Sequence, residues 1–138
     1  MPRSLLAATL LFFAGCSVLA GAPVVTLGGA EGFPELPIHL DDPGGLVLSV
    51  RAAPRQDGIG ATTVKTVDRD TVVLRWTGGA CDDRAHIGVF GTAASIQLTV
   101  TTDQQLGFGC NAAGIDREVE ITFREPLGSR TVTAAGGA

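Results

Sequence analysis

The amino-acid sequence predicts an all-β protein: a small antiparallel β-sandwich or barrel of about six to eight short strands, held by one disulfide. Three observations predict it. Several stretches alternate apolar and polar residues with the period of two that marks a half-buried strand. Clusters of Gly, Pro and Asp separate these stretches at short intervals, as in an all-β chain. No window carries apolar residues at i, i+3, i+4 and i+7, the signature of an amphipathic helix.

Val24-Val25-Thr26-Leu27 and Pro37-Ile38-His39-Leu40 are short candidate strands within a Gly- and Pro-rich stretch, residues 21–45, where Pro23, Pro34, Pro37 and Pro43 break any long element. Asp41-Asp42-Pro43-Gly44-Gly45 is a turn signal: Asp bonds its own backbone, Pro presets φ, and Gly accepts the left-handed region. From Leu46 to Ala52 the pattern alternates, with Leu46, Leu48, Val50 and Ala52 on one face and Val47, Ser49 and Arg51 on the other. Residues 54–60 read as a loop. Thr62 to Val67 is β-branched and hence extended. Asp68-Arg69-Asp70 turns the chain into Thr71–Thr77, where Val72, Leu74 and Trp76 share a face. Gly78-Gly79-Ala80-Cys81 ends that strand, and Asp82-Asp83-Arg84 follows as a polar loop.

Ala85–Phe90 reads as a strand interrupted by Gly88. Ser95–Thr101 turns Ile96, Leu98 and Val100 inward. Residues 103–116 read as a loop. Glu118–Arg124 places Val119, Ile121 and Phe123 inward, and Glu118, Glu120 and Arg124 outward. Pro126-Leu127-Gly128 turns into a last edge strand, Arg130–Ala134. The domain plan is a signal peptide over 1–15, a lipidated N-terminus and tether over 16–44, and a β domain over 45–135.

The N-terminus predicts export. Arg3 gives a small positive start, and residues 5–15 are apolar or small, the layout of a secretory signal peptide. The run is shorter than the roughly 20 apolar residues of a spanning helix. Phe13-Ala14-Gly15-Cys16 resembles the lipobox of bacterial lipoproteins. The resemblance covers the first 16 residues, with Phe13 in place of the usual Leu. It implies that the Cys16 thiol receives a diacylglyceryl group, that the Gly15–Cys16 bond is cut, and that the protein stays on the extracytoplasmic face of the cell membrane. The alternative is Val18-Leu19-Ala20, the small-x-small pattern of an ordinary signal-peptidase site; cleavage after Ala20 would release the protein. Trp76-Thr77-Gly78-Gly79-Ala80-Cys81, followed by Gly109-Cys110, is similar to exported proteins of high-GC bacteria, a resemblance that carries no activity with it.

With Cys16 lipidated or removed, Cys81 and Cys110 remain for an oxidising compartment, and the simplest pairing is one disulfide between them. A bridge closing a loop of roughly 30 residues is worth about 3.5 kcal/mol by the chain-entropy model. Trp76 would then pack in the core beside it. The order Trp-Cys-Cys differs from the Cys-Trp-Cys order of immunoglobulin domains.

Charge and composition exclude some functions. The net charge is −4, and loss of Arg3 makes the mature chain more acidic still, so no nucleic-acid partner is expected. Tyr is absent and Trp76 stands alone, which leaves little for a stacking platform. Asp82, Asp83 and His86, beside Cys81, form the densest polar cluster and are weak metal-ligand candidates whose spacing matches no zinc pattern; otherwise they are a solvated loop. Asp68 and Asp70 read as turn residues rather than calcium ligands. Glu118 and Glu120 lie about 7 Å apart on one strand face, and read as solvent-facing rather than as a glycosidase pair. GxSxG is absent, and His39 and His86 are the only histidines, so no catalytic residues and no cofactor are assigned. The expected function is a lipid-anchored envelope protein whose expected partners are the membrane, through the N-terminal lipid, and another envelope protein. The alternative is a small secreted hydrolase, or a metal- or ligand-binding protein using His86 and the adjacent aspartates.

Overall fold

A computed structural model describes residues 24–27, 36–53, 61–104 and 114–136. Cys16, Cys110 and the whole of the signal segment lie outside these residues. The described chain is all-β, with nine strands in two sheets and no helix. The strands are β1 (Val24–Leu27), β2 (Leu36–Asp41), β3 (Val47–Ala52), β4 (Thr63–Asp68), β5 (Thr71–Gly79), β6 (Asp82–Gly91), β7 (Ser95–Gln104), β8 (Gly114–Phe123) and β9 (Thr131–Gly136). One sheet, called A here, has the order β1-β2-β6-β7-β9; the other, sheet B, has the order β3-β8-β5-β4. β1 and β2 belong to sheet A, so the stretch expected to be tether, 16–44, is not tether throughout.

The core lies between the sheets. Sheet A contributes Leu36, Ile38 and Leu40 from β2, Ala85, Ile87 and Val89 from β6, and Ile96, Leu98 and Val100 from β7. Sheet B contributes Val47 and Val50 from β3, Val72, Leu74 and Trp76 from β5, and Val119, Ile121 and Phe123 from β8. Trp76 is fully buried, as its alternation predicts. Apart from Val47, which a bulge turns inward, these are the inward members of each period-two pattern, brought together by the need to remove both apolar faces from water.

The expectation of an antiparallel sandwich holds for sheet B and fails for sheet A. β2 pairs with β6 in parallel, and β7 pairs with β9 in parallel. Both partners are distant in sequence, so no hairpin dictates their direction.

Four local expectations are also corrected. In β3 the register shifts between Val47 and Ser49. This bulge turns Val47 inward along with Val50 and leaves Leu48 at 59% exposure. Gly88 does not interrupt β6 but is buried within it. Asp82 is the first residue of β6 rather than part of a loop, and it is buried. The expected loop 103–116 is shorter, because β7 runs to Gln104 and β8 starts at Gly114.

The turns follow their residues. Asp42 accepts hydrogen bonds from Leu46 N at 3.0 Å and Val47 N at 2.7 Å, and Gly45 takes a φ of 62°. Asp68 accepts from Arg69 N, and Asp70 from the Thr71 hydroxyl, so both serve their own turn as expected.

Candidate functional site

The outer face of sheet A carries the chemistry. With Ile38 and Leu40 facing the core, β2 must turn His39 and Asp41 outward. With Ala85, Ile87 and Val89 inward, β6 turns out His86, Gly88 and Phe90. β7 adds Thr99, Thr101 and Asp103 by the same alternation. The register then sets them side by side: His39 opposite His86, Asp41 opposite Gly88, His86 opposite Thr101 and Gly88 opposite Thr99.

His39, Asp41, His86, Gly88, Phe90, Thr99 and Thr101 line an open depression of about 330 Å³. Gly88 makes it. A Cβ at that position would lie 2.5 Å from Thr99 Oγ1 and 3.0 Å from the Phe90 ring. The two imidazole rings meet edge-on, with centroids 5.5 Å apart and an interplanar angle of 66°. His86 Nε2 is 2.8 Å from Asp103 Oδ2. That hydrogen bond, helped by the charges of His86 and Arg84, holds the Asp103 carboxyl below its ordinary 3.8 against the opposing effect of desolvation. Phe90, at 49% exposure, forms an apolar rim.

The predicted cluster of Asp82, Asp83 and His86 does not assemble. The register shift between Asp82 and Arg84 turns Asp82 into the interior, whereas His86 faces solvent on the outer face and Asp83 is exposed. Asp82 Oδ2 accepts from Gly79 N at 2.8 Å. Among the described residues, no group of three or more His, Cys, Asp or Glu side chains is placed to hold a metal ion.

His86 therefore keeps a place at the candidate site, but with different companions. His39, Asp41 and Asp103 were missed as its neighbours. Their outward parity was readable beside Ile38, Leu40 and Val100; the parallel pairing of β2 with β6 was not.

The outer face of sheet B is self-contained. Four register pairs close on each other: Arg51 with Glu120, Arg75 with Glu118, Thr77 with Asp116, and Thr71 with Thr122. Glu118, expected to face solvent, is buried, with its carboxylate 3.0 Å from Arg75 Nε. The correction has a physical cause: β8 is an interior strand of the sheet, with neighbours on both sides. Glu118 and Glu120 each serve a separate arginine and do not form a carboxylate pair.

Cys81 occupies the turn between β5 and β6, and it has a bonding partner. The register places Gly79 opposite Gly114 and Asp82 opposite Gln104. The described ends of β7 and β8, Gln104 and Gly114, thus flank the Cys81 turn.

No protein-family model, curated protein or solved structure matches the chain.

Proposed function

We propose that this chain is an exported lipoprotein, anchored through Cys16 on the extracytoplasmic face of the cell membrane, whose β-sandwich serves a binding or envelope-structural role rather than catalysis. The observation that carries this reading is the Ala14-Gly15-Cys16 placement at the end of the apolar run. Two acyl chains on one cysteine hold a protein that a single chain would hold only reversibly. Among the described residues, no helix is long and apolar enough to cross a membrane. From Cys16 to the start of β1 at Val24 is a short step, and at ~3.5 Å per residue it reaches at most about 28 Å. The β1 edge of sheet A would therefore be held close to the bilayer.

A Cys81–Cys110 disulfide is part of the proposal. It is supported by the strand ends Gln104 and Gly114, on either side of the Cys81 turn, and by the oxidising compartment that export implies. The alternative, release after Ala20 as a ligand-binding protein, draws support from the His39/His86 depression.

The test is the intact mass of the native protein in membrane and culture fractions, with and without reductant. A membrane-bound species that begins at Cys16 and carries acyl mass is expected, gaining two hydrogens on reduction. An unlipidated species beginning near Gly21 in the culture fluid overturns the anchor.

A further inference from the structure

We propose that His39 and His86 form a two-imidazole clamp for a borderline divalent ion of the Cu²⁺ or Zn²⁺ kind, with Asp103 positioning His86. The register makes the two histidines direct neighbours on adjacent parallel strands, on a face open to solvent. Their spacing fits a shared ion. With metal–nitrogen bonds of about 2.0–2.1 Å, a ring centre lies about 3.2 Å from its metal, so two rings on one tetrahedral ion have centres about 5.2 Å apart. The observed separation is 5.5 Å.

Asp103 supplies a second, independent indication. A metal-binding imidazole usually engages a carboxylate or carbonyl through its other nitrogen, which fixes the tautomer and orients the ring. His86 does this already, with Nε2 bonded to Asp103 Oδ2 at 2.8 Å. Nδ1 is then the nitrogen left to face an ion. His39 is exposed, and its ring is the one that adjusts.

Gly88 lets Thr99 and Phe90 pack close against β6 beside the rings, and Asp41 stands opposite it in register, on the rim of the same depression. Because no third protein ligand is in place among the described residues, water completes the coordination. Imidazole donors favour copper and zinc over magnesium or calcium, so the clamp discriminates by ligand chemistry rather than by a rigid cage.

The experiment is a Cu²⁺ and a Zn²⁺ titration of the tag-free mature chain by calorimetry, with Mg²⁺ as the control ion. The expected result is one site per chain, tighter for Cu²⁺ than for Zn²⁺ and absent for Mg²⁺. His39→Gln and His86→Gln should each weaken binding as much as the double variant does, because neither ring clamps alone. Asp103→Asn should weaken it by about 10–100-fold, the range for outer-shell partners of metal-binding histidines. Circular dichroism spectra unchanged from wild type would show that each variant is folded; if a Gln variant fails to fold, the corresponding Asn variant replaces it. Wild-type affinity no tighter than that of the double variant would overturn the clamp. So would single variants whose losses merely add, since that marks two independent surface histidines.

Discussion

The two sheets share one core and differ on their outer faces. Sheet B pairs its outward polar groups across the strand register, so Glu118, Arg75, Glu120 and Arg51 neutralise one another within the sheet. Sheet A places two histidines, two aspartates and an exposed phenylalanine around a glycine floor. Both faces come from the same alternation. A face whose opposing residues are matched in charge and length becomes part of the fold, whereas a face with an unfilled position opposite a polar side chain keeps a recess. The contrast teaches that the outer face of a sandwich strand is decided by its neighbours as much as by its own residues.

The comparison can be broken most forcefully at Glu118. Replacing it with Ala leaves Arg75 without its carboxylate on a covered face, and should cost about 3–5 kcal/mol in urea unfolding, the range for breaking a buried pair from one side. Filling the recess in sheet A should cost less. Gly88→Val drives a side chain into Thr99 and Phe90, for a loss of about 1–3 kcal/mol by overpacking. Arg51→Ala should cost under about 1 kcal/mol, because Arg51 is 69% exposed and its pair is screened by water. His39→Gln should change stability by no more than about 0.5 kcal/mol, as expected of a surface residue away from the core. A large loss at His39 together with none at Glu118 would reverse the roles given to the two faces.

The mildest effect should be on acid stability. The Asp103 carboxyl is held below its ordinary value by His86. Its contribution is therefore fully present above that ordinary value and is lost as pH falls through the lowered one. Comparing acid unfolding of wild type with Asp103→Asn should show convergence of the two at the acidic end and a small advantage for wild type above it.

Much of the fold was legible from residue order. The strand from Thr71 to Thr77 and the inward set Ile96, Leu98 and Val100 were plain in the alternation, because water excludes one face of each strand regardless of which strand lies next to it. The bulge in β3 was not legible, because one extra residue swaps which face Val47 and Leu48 occupy while leaving the composition unchanged. Glu118 looked solvent-facing for a related reason: its polarity says that it needs a partner or water, and only the register shows that Arg75 is the partner.

The candidate site was half legible. His86 was singled out, but its sequence neighbours were taken as its companions. Parallel pairing brought in His39 from a strand 47 positions earlier in register, a connection that local chemistry does not encode.

The order of the strands in sheet A bears on when the protein becomes whole. β9 is the last of the described strands, and it pairs in parallel with β7 at the edge of the sheet, packed against Val100 at Gly136. The hydroxyl of Thr62, just ahead of β4 in sheet B, reaches the carbonyl of that same Gly136. One seam of the sandwich is thus stitched by residues that follow every other described strand. In a chain that emerges N-terminus first, β5 can pair with β4, or β6 with β7, as soon as those hairpins are clear, but that seam stays open until residues 131–136 arrive.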